Sequence, residues 1–394
     1  MRRRLAIVLS HPIQHFCPLY TTWAKSPDWD THVFFGSRAG AAPYFDANYG
    51  RFVEWAGLSL DLFPHSFLNG DAVVPITNKL DSLALEERLD SYRPCAVLTY
   101  GYNQRLQRRA QAWARRRRVP LLFFSDAELR HQRPAWKEAI KAVALPPLLR
   151  SMDWFIVTGN ANEEFYRRYG VPAAKMVRGS YPIDRDAYSR AYADRAGLRE
   201  NARSKLGICQ DEVVVTTVGK LVPWKRQADL INAMATLSGT KTVALIVGTG
   251  PMGQDWAQAA GRLSRNRVIF AGFVPTEGLP AIYAATDIYV HASEKEPHSV
   301  AISEAVFMGL PVVLSDRCGS YGMDDDVRQG INGFVYKCGD ILSLAGVLER
   351  LSGDESLRSA MGKKSHDIGV SQQGVIHDQF LATLDVLLGP RAIG

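Results

Sequence analysis

Short apolar runs alternate with amphipathic stretches along the whole chain, which is the pattern of a parallel α/β protein. In the first half, runs of the strand type lie at about residues 5–9, 32–35, 96–99, 121–124, 154–157 and 176–177. Helical stretches fit between them at about 16–25, 78–91, 104–117, 135–149 and 161–169. The second half restarts with strands at about 213–218, 244–247, 268–270, 288–290, 312–314 and 333–336. This alternation predicts two doubly wound sheets, with a ligand in the cleft outside the carboxyl ends of their strands.

The length of 394 residues also favours two domains, because one hydrophobic core rarely grows past about 250 to 300 residues. Between Ile183 and Lys205 the sequence becomes charged and loses strand character, so we place the connection between the domains there. We therefore predict one Rossmann-like domain over residues 1–185 and a second over residues 186–372. A last helix is expected from about Gln373 to Leu387, within the segment 373–394.

One long segment, from Gly36 to Ile76, shows no helical pattern. It is rich in aromatic residues, which argues against disorder: Tyr44, Phe45, Tyr49, Phe52, Trp55, Phe63 and Phe67. Two interpretations stay open at this point. The rings could form a face beside the cleft for an apolar or sugar-like ligand, or they could bury one another in a small subdomain.

The stretch EKEPHSVAISEAVFMGLPVVLS, from Glu294 to Ser315, carries the most informative pattern of the chain. Proline is favoured in the first turn of a helix, so we predict a helix from about Pro297 to Met308. Gly309 suits the left-handed position just past its end, and the apolar residues that follow predict a buried strand.

The start of this predicted helix is a candidate anion site. Free N–H groups around His298, Ser299 and Val300 would face an anion such as a diphosphate. Glu304 lies about five residues beyond Ser299, or roughly 7.5 Å along the helix, where it could accept hydrogen bonds from ribose hydroxyls. Glu296, in the loop ahead of the helix, would reach a sugar beyond the phosphate.

A structural alternative is open for both glutamates. Glu296 could be an acid near a helix start, and Glu304 a solvated residue in mid-helix. Against this, Glu304 stands close to Ile302 and Ala305 in a helix that looks buried, where an unpaired carboxylate is costly.

Glu296 and Glu304 are separated by seven residues, and the segment resembles the Glu-x7-Glu motif of retaining glycosyltransferases of family 4. The helix and the Gly-x-Pro-Val-Val strand follow in the same order. The usual Pro-Phe-Gly after the first glutamate is here Pro297-His298-Ser299, which changes the wall of the sugar pocket. The resemblance is strong over residues 213–336 and weak before residue 180.

This resemblance implies a GT-B fold, in which two Rossmann-like domains face a central cleft. The domain over 1–185 would bind the acceptor, and the domain over 186–372 the nucleotide-sugar donor. The helix within 373–394 would cross back onto the first domain.

A basic motif, Gly219-Lys220 to Lys225-Arg226, follows the strand at 213–218. Two cations at the start of a helix oppose its macrodipole by about 0.3 to 1 kcal/mol each, and a bound anion would reverse that sign. The motif resembles the family's Gly-Arg-x4-Lys, whose basic residues hold the donor diphosphate. Lys220 keeps the charge of the usual arginine but loses its bidentate fork.

The nucleotide contacts are expected from two further loops. The backbone around Phe273 and Val274 resembles the loop that meets the base. Gly248 and Gly250 follow a strand and precede a helix, but glycine turns are common in α/β domains, so their pattern is weak.

On the acceptor side, the first strand ends in a polar loop that carries His11, Gln14 and His15. These side chains are candidates for the acceptor or sugar pocket; the alternative is that the histidines bond to the loop backbone. The glycine-rich loop common in related enzymes is absent here, which weakens the expectation of a phosphate contact.

The strand at 121–124 delivers a second polar loop to the cleft. Ser125 lies where the family often has a histidine, and His131 follows six residues later; we assign both to the same pocket. Asp126 is a candidate carboxylate near the reacting sugar carbon or the acceptor hydroxyl, or alternatively a cap for the next helix.

The resemblance implies transfer of a sugar, with retention, from a nucleotide-diphosphate sugar to a saccharide or lipid-linked acceptor. Uridine is the commonest base among such enzymes and guanosine is the rival, so a UDP-sugar is the first expectation and a GDP-sugar the next. Bacterial surface polysaccharide or glycoconjugate synthesis is the expected context. Glu296 and Asp126 are the catalytic candidates. Neither a metal nor another cofactor is implied, because helix N–H groups with Lys220 and Lys225 can offset the diphosphate charge. A nucleotide-sugar epimerase and a non-catalytic nucleotide-sugar-binding scaffold are the alternatives.

Charge is distributed unevenly between the halves. Of the net +7, residues 1–190 hold 27 Lys and Arg against 18 Asp and Glu, a net of +9, while the remainder nets −2. Much of the excess lies in a basic helix from Arg105 to Arg118, which also bears Leu106 and Trp113. This helix is a candidate for contact with an anionic membrane; a solvated surface face is the alternative. Nucleic acid is not expected as a partner, because no recognised binding motif accompanies the charge.

The cysteines and the N-terminus suggest a cytoplasmic protein. Five scattered cysteines, without a Cys-x-x-Cys pair, are typical of a reducing compartment. The apolar run before Ser10 is too short for a signal peptide. We expect the cytoplasm, at the inner face of the membrane if the basic helix binds lipid.

Overall fold

The computed structural model of the protein describes residues 2–46, 51–55, 57–130, 134–238, 241–263 and 266–390. Its strands are β1 (Arg3–Leu9), β2 (Trp29–Phe35), β3 (Tyr44–Asp46), β4 (Arg51–Val53), β5 (His65–Phe67), β6 (Ala96–Tyr100), β7 (Leu121–Phe124), β8 (Trp154–Val157), β9 (Met176–Arg178), β10 (Val213–Val218), β11 (Thr242–Val247), β12 (Arg267–Gly272), β13 (Ile288–His291), β14 (Val312–Ser315) and β15 (Gly333–Tyr336). Its α-helices are α1 (Cys17–Ala24), α2 (Ala84–Tyr92), α3 (Arg105–Arg117), α4 (Ala135–Arg150), α5 (Asn160–Arg168), α6 (Arg185–Ala193), α7 (Arg195–Leu206), α8 (Gln227–Met234), α9 (Gly253–Ala260), α10 (Leu279–Ala285), α11 (Val300–Phe307), α12 (Ile341–Gly353), α13 (Glu355–Gly374) and α14 (Phe380–Leu388).

The first sheet has the order β5-β2-β1-β6-β7-β8-β9, with every neighbouring pair parallel. Its central strands are continuous apolar runs because helices cover both faces, and Leu5 to Leu9 are at most 1% exposed. The strand order reverses direction at β1, between β2 and β6. This switch point opens a crevice at the carboxyl end of β1, where the loop that carries His11 begins.

The second sheet repeats the architecture with the order β12-β11-β10-β13-β14-β15, again all parallel. Its switch point lies at β10, between β11 and β13. The loops after β10, β11 and β13 therefore converge on one crevice. Two doubly wound sheets in sequence are what the apolar pattern predicts.

The aromatic segment between β2 and α2 contains structure that the pattern did not reveal. A short antiparallel hairpin joins β3 to β4, and β5 adds a parallel edge strand to the first sheet. The rings differ in their burial, and a ligand-binding face stays a prediction. Phe63 is buried in the first domain, whereas Phe45 and Phe52 face each other across the hairpin and are 57% and 69% exposed. Tyr49 lies outside the described residues.

The charged connection between the sheets is helical rather than irregular. It forms α6 and α7, and the Asp184 side chain caps α6 by accepting a hydrogen bond from Ala187 N. Its charge is partly structural, because Arg203 is fully buried and its guanidinium lies 2.6 Å from Asp287 Oδ2. A buried ion pair of this kind leaves no hydropathy signal for a helix that packs on the domain.

The C-terminal segment crosses back onto the first domain, as predicted. After α13, a π-helical turn (Val375–Gln379) leads into α14. The Trp23 ring stacks on Phe380 at 4.9 Å, and Trp23 Nε1 donates to Ile376 O at 3.1 Å. Asp385 then pairs with Arg3, at the start of β1.

The basic helix α3 packs its apolar side into the first domain. Leu106 and Trp113 are 0% and 3% exposed, so they are not available to a membrane. Several of its arginines pair with acids, including Arg109 with Asp81 at 2.7 Å. In the described part of the chain, no helix has both the length and the apolar character needed to cross a membrane.

Candidate functional site

The helix α11 anchors the candidate site, and it begins three residues later than the sequence suggested. Ser299 is the residue before its first turn, and Val300 is the first helical residue. The predicted start at Pro297 is wrong because the preceding backbone is paired elsewhere: Glu296 bridges to Cys318, and Gly319 N donates to Glu296 O at 2.8 Å. The helix ends at Phe307 rather than Met308.

The loop ahead of α11 is held in place by close packing. A Cβ added to Gly319 would lie 1.8 Å from Pro297 O, so only glycine fits there. Past the end of the helix, Gly309 has a φ of +71°, the left-handed conformation that the sequence predicted for it.

The N-terminus of α11 is partly occupied by the protein itself. Ser299 N donates to Ser320 Oγ at 3.1 Å. The His298 ring stacks on Tyr181 with centroids 4.7 Å apart, and His298 Nε2 lies 3.3 Å from Asp326 Oδ2. The three predicted anion-binding residues thus lie together at a helix start, with His298 just outside the helix.

Glu296 is the centre of a charged cluster at the same end of the helix. Its Oε2 pairs with Lys225 Nζ, and it lies 2.9 Å from His291 Nε2 and 3.3 Å from Ser293 Oγ. Burial alone would raise the pKa of Glu296, but Lys225 and His291 more than offset this and lower the pKa to about 2. The carboxyl is therefore ionised at neutral pH and cannot act as a proton donor there.

Glu304 lies deeper in α11 and has the opposite electrostatic character. Its side chain is buried, and its Oε2 accepts a hydrogen bond from Tyr283 OH at 2.8 Å. Burial raises the pKa of Glu304 to about 7, although the hydroxyls of Tyr283 and Tyr188 partly oppose this rise. Because the side chain is buried, a solvated mid-helix role is untenable for this residue.

The two lysines of the basic motif have different partners. Lys225 lies in a 3-10 turn (Pro223–Lys225) and pairs with Glu296, as described. Lys220 instead pairs with Asp46, which belongs to the hairpin of the first domain: its Nζ lies 2.9 Å from Asp46 Oδ2 and 3.2 Å from Oδ1. In this conformation a carboxylate of the first domain pairs with a lysine that the sequence assigned to the donor diphosphate.

A small cavity of about 80 Å³ lies between the domains at the predicted base loop. Phe273 and Val274 line it, as does Gly248, and the Trp55 ring lines it from the first domain. The aromatic segment of the first domain therefore reaches the place that the sequence assigned to the nucleotide.

Gly248 and Gly250 have a clear steric role. A Cβ on Gly248 would lie 1.9 Å from Gly219 O, and a Cβ on Gly250 would lie 2.4 Å from Leu221 O. These glycines let the loops after β10 and β11 pack backbone against backbone. Gly250 is not among the residues that line the cavity.

The first-domain histidines lie on the opposite wall. Burial lowers the pKa of His11 to about 4. Burial, and then the neighbouring His298 and His11, lower the pKa of His15 to about 3. Both rings are therefore neutral at pH 7. Within the described ranges, His15 Nε2 is buried without a hydrogen-bond partner.

The remaining predicted pocket residues are distributed around this wall. Gln14 Oε1 accepts a hydrogen bond from Thr276 Oγ1 at 2.9 Å, which links the two domains. Ser125 Oγ lies 3.2 Å from Tyr166 OH, inside the first domain. His131 lies outside the described residues.

Asp126 does not cap the next helix, because α4 begins only at Ala135 with Pro134 at the cap position. The Asp126 carboxyl instead lies against Tyr181 and is one of the groups that raise the pKa of that phenol, after burial. Since Tyr181 also stacks on His298, Asp126 and the loop before α11 share this tyrosine as a neighbour.

Three residues of the site escaped the sequence analysis as site residues. Tyr181 follows β9 in an irregular stretch, where no periodic pattern marks it. Asp46 and Trp55 lie in the aromatic segment, whose richness in rings was the only signal. Their positions depend on how the two domains face each other, which local sequence does not encode.

Among the residues that the structure describes, no three histidine, cysteine, aspartate or glutamate side chains are grouped so that they could hold a metal ion. Independence from metals remains a prediction.

A family model matches much of the second domain. Residues 199–367 match the family model Glycosyl transferases group 1. This span runs from α7 into α13. It contains β10 to β15, the whole of α11, and both Glu296 and Glu304.

Relatives by sequence include two bacterial transferases. The alpha-D-kanosaminyltransferase of Streptomyces kanamyceticus is 28% identical over 213 residues, which is 53% of each chain. The lipopolysaccharide core biosynthesis glycosyltransferase LpsE of Rhizobium meliloti is 32% identical over 185 residues, 46% of this chain and 52% of the relative. The matched part spans about half the length of these relatives.

Similar solved structures extend over almost the whole chain. HepE of Anabaena in complex with UDP has a TM-score of 0.72 at 21% identity and covers 98% of this chain and 99% of its own. WaaG, a glycosyltransferase involved in lipopolysaccharide biosynthesis, has a TM-score of 0.63 at 18% identity and covers 98% and 100%. The predicted GT-B fold is confirmed by these likenesses and by the two doubly wound sheets.

Proposed function

We propose that this protein is a retaining glycosyltransferase that moves a sugar from a UDP-sugar to a saccharide or lipid-linked acceptor. The observation that carries the proposal is the cluster at the start of α11. There Lys225, His291 and Glu296 meet beside a helix N-terminus, at the crevice between two Rossmann-like domains. A helix start with an adjacent lysine suits a diphosphate, and an ionised carboxylate beside it suits the hydroxyls of the transferred sugar.

The choice of UDP rests on similarity and is part of the proposal. HepE of Anabaena was solved with UDP and with UDP-glucose. LpsE is named for lipopolysaccharide core biosynthesis, which suggests a bacterial surface glycoconjugate as the product. A GDP-sugar is the second candidate donor.

For the chemical step, the bond between the anomeric carbon and the diphosphate oxygen breaks while the acceptor oxygen bonds to the same face of the sugar. The acceptor proton passes to the departing phosphate oxygen, so no group is oxidised or reduced. Lys220, Lys225 and the N–H groups of α11 would stabilise the charge on the leaving diphosphate. This scheme requires neither a metal nor another cofactor. Asp126 is the candidate carboxylate for any alternative with a covalent intermediate.

The acceptor side would use neutral histidines. Because His11 and His15 have lowered pKa values, each ring carries one donor nitrogen and one acceptor nitrogen at pH 7. In His11, Nδ1 already lies 2.8 Å from Ser10 Oγ, which leaves Nε2 for a ligand. His15 Nε2 is buried and unpaired within the described ranges, so a sugar or acceptor hydroxyl would complete its hydrogen bonding.

The proposal is tested first by nucleotide binding. The purified protein is titrated with UDP, GDP, ADP and TDP while its melting temperature is followed. A ligand at 100 times its Kd stabilises a protein by about 2.7 kcal/mol, which is readily detected. We expect UDP to stabilise the wild type and Lys225→Ala to lose most of the effect. Lys241→Ala removes an exposed lysine paired with Asp211 and should respond like the wild type.

Turnover then distinguishes a transferase from its alternatives. With UDP-glucose, a transferase releases UDP faster when an acceptor is added, whereas an epimerase changes the sugar without releasing UDP. Binding of UDP without any turnover would favour a scaffold. If none of the four nucleotides binds, the donor site proposed at α11 is wrong.

A further inference from the structure

The helix α4 exposes an unusual apolar stripe. Trp136, Ile140 and Val143 are 62%, 58% and 78% exposed, and their spacing places them on one helical face. Single exposed apolar residues are ordinary, but a contiguous stripe that includes a tryptophan marks an interaction surface.

The opposite face of the same helix is already covered by the protein. Leu145 and Leu149 are 4% and 1% exposed and pack into the first domain. Glu138, the one acidic residue of α4, accepts a hydrogen bond from Tyr169 OH at 3.1 Å and so lies on the protein side. The helix therefore has two apolar faces, and the structure covers one of them.

The charges around the exposed stripe are positive. Lys137 and Lys141 flank it, and Arg150 ends the helix. The Lys137 ammonium lies 5.2 Å from the centre of the Trp136 ring. An apolar stripe with a tryptophan and flanking lysines is complementary to an anionic bilayer: the rings and methyl groups enter the interface, while the lysine stems keep their charges at the headgroups.

The chain ahead of α4 contacts the second domain. Arg130, five residues before the helix, donates to Cys318 O at 2.6 Å and to Tyr321 O at 2.9 Å. The start of α4 is thus five residues along the chain from a contact between the two domains. The basic helix α3 offers no comparable stripe, because its Trp113 is buried.

We propose that α4 docks the protein onto an anionic bilayer by inserting Trp136, Ile140 and Val143 into the headgroup region. This surface is separate from the proposed donor site, so membrane binding can be tested independently of the transferase activity.

Vesicle sedimentation tests the proposal with the full chain. The vesicles contain equal parts phosphatidylglycerol and phosphatidylcholine, or phosphatidylcholine alone. We expect the wild type to bind the anionic vesicles and the triple variant Trp136→Ser, Ile140→Ser, Val143→Ser to bind at least tenfold more weakly. Leu342→Ser, which alters an apolar residue 76% exposed in the second domain, should bind like the wild type. All these positions are exposed, so the variants should melt close to the wild-type temperature.

Charge variants distinguish membrane binding through α4 from membrane binding through α3. Each basic residue near an anionic surface contributes about 1 kcal/mol, so Lys137→Gln with Lys141→Gln should weaken binding about 25-fold. Arg115→Gln with Arg118→Gln, at the end of α3, should have a smaller effect.

Three results would overturn the proposal. The first is a wild type that does not bind anionic vesicles. The second is a triple variant that binds as tightly as the wild type. The third is a wild-type dimer, seen by analytical ultracentrifugation, that the triple variant converts to a monomer, because the stripe would then face a second copy of the chain.

Discussion

Among single residues, Glu304 shows how burial sets the chemistry of the site. Its carboxyl has an ordinary pKa of 4.5, which burial raises to about 7, with Tyr283 OH as the hydrogen-bond donor. Between these two pH values the folded protein binds more protons than the unfolded chain. The stability that the protonated form contributes is therefore present below pH 4.5 and is lost as the pH rises to about 7.

The first prediction concerns this carboxyl and stability. Glu304→Gln keeps the shape and removes the buried charge, so it should stabilise the unliganded protein more at pH 8 than at pH 5. A pKa rise of this size corresponds to a difference on the order of 3 kcal/mol. Urea unfolding of the wild type and the variant at both pH values measures this difference in the free energy of unfolding. The other titrating groups are the same in the two proteins, so their contributions cancel. An equal effect at pH 5 and pH 8 would show that Glu304 is not held protonated by the fold.

A second prediction follows for the ligand. A ribose hydroxyl would donate to the ionised form of Glu304, so UDP affinity should rise as the pH increases from 6 to 8. Glu304→Gln should weaken UDP binding about tenfold at pH 8, the size of a lost hydrogen bond to a charged group, and should flatten this part of the pH profile. Isothermal titration at three pH values measures both effects. A variant with the wild-type pH profile would place the titrating group elsewhere, for example on the nucleotide phosphate.

Among the structural elements, the β3–β4 hairpin contacts the proposed donor site. Asp46 pairs with Lys220, and the nearby Trp55 lines the cavity at the base loop together with Phe273. Both contacts come from the first domain and fall where the sequence places the donor. The donor would therefore have to displace this element, or share the crevice with it, when it binds.

The third prediction tests that competition. Asp46→Ala removes the ion pair that competes with the diphosphate for Lys220, so UDP should bind about two- to fivefold more tightly, the scale of a partly exposed ion pair. The gain should shrink at high salt, where the pair is screened. Asp71→Ala, which removes an exposed partner of Arg38 in the same segment, is the matched control and should leave the Kd unchanged. Weaker UDP binding by Asp46→Ala would instead show that Asp46 supports the donor site.

The fourth prediction concerns the loops after β10 and β11. Gly248 has a φ of +132°, and a Cβ there would overlap Gly219 O, so Gly248→Ala should cost several kcal/mol or prevent folding. Gly346, which lies within α12 with nothing near its Cβ position, is the control. Gly346→Ala should stabilise the protein by about 0.5 to 1 kcal/mol. Chemical unfolding of both variants, or their soluble yield, measures the contrast. A harmless Gly248→Ala would mean that the loops can separate.

The elements differ in how far the sequence predicted them. The buried strands of both sheets were readable because each is a short apolar run between helices, as in β1 and β10. The hairpin was not readable, since three-residue strands carry almost no periodicity. The start of α11 was misplaced because Pro297 is as acceptable in an extended segment as in a first helical turn. Only the pairing of Glu296 with Cys318, across more than twenty residues, decides between the two.

For the whole molecule, side-chain contacts across the cleft and the returning C-terminal segment join the two domains. Gln14 meets Thr276, and Asn160 N donates to Asp325 Oδ1 at 2.8 Å. Burial raises the pKa of Asp325 to about 6, although Arg178 opposes this rise. These contacts bring the first-domain histidines, His11 and His15, close to α11. The sequence of either domain alone does not specify them.

The fifth prediction tests the returning segment. Phe380 is 2% exposed and stacks on Trp23, so Phe380→Ala should destabilise the protein by about 3 to 5 kcal/mol. Val386→Ala, on the same helix but 80% exposed, should stay within about 0.5 kcal/mol of the wild type. Urea unfolding gives both values. Hydrogen exchange should show faster exchange over residues 375–388 in Phe380→Ala, together with residues around Trp23, because the two sides protect each other. Faster exchange in the C-terminal helix alone, with α1 still protected, would contradict this. The segment would then be attached to the first domain without stabilising it. In that case the contacts across the cleft would set the arrangement of the two domains.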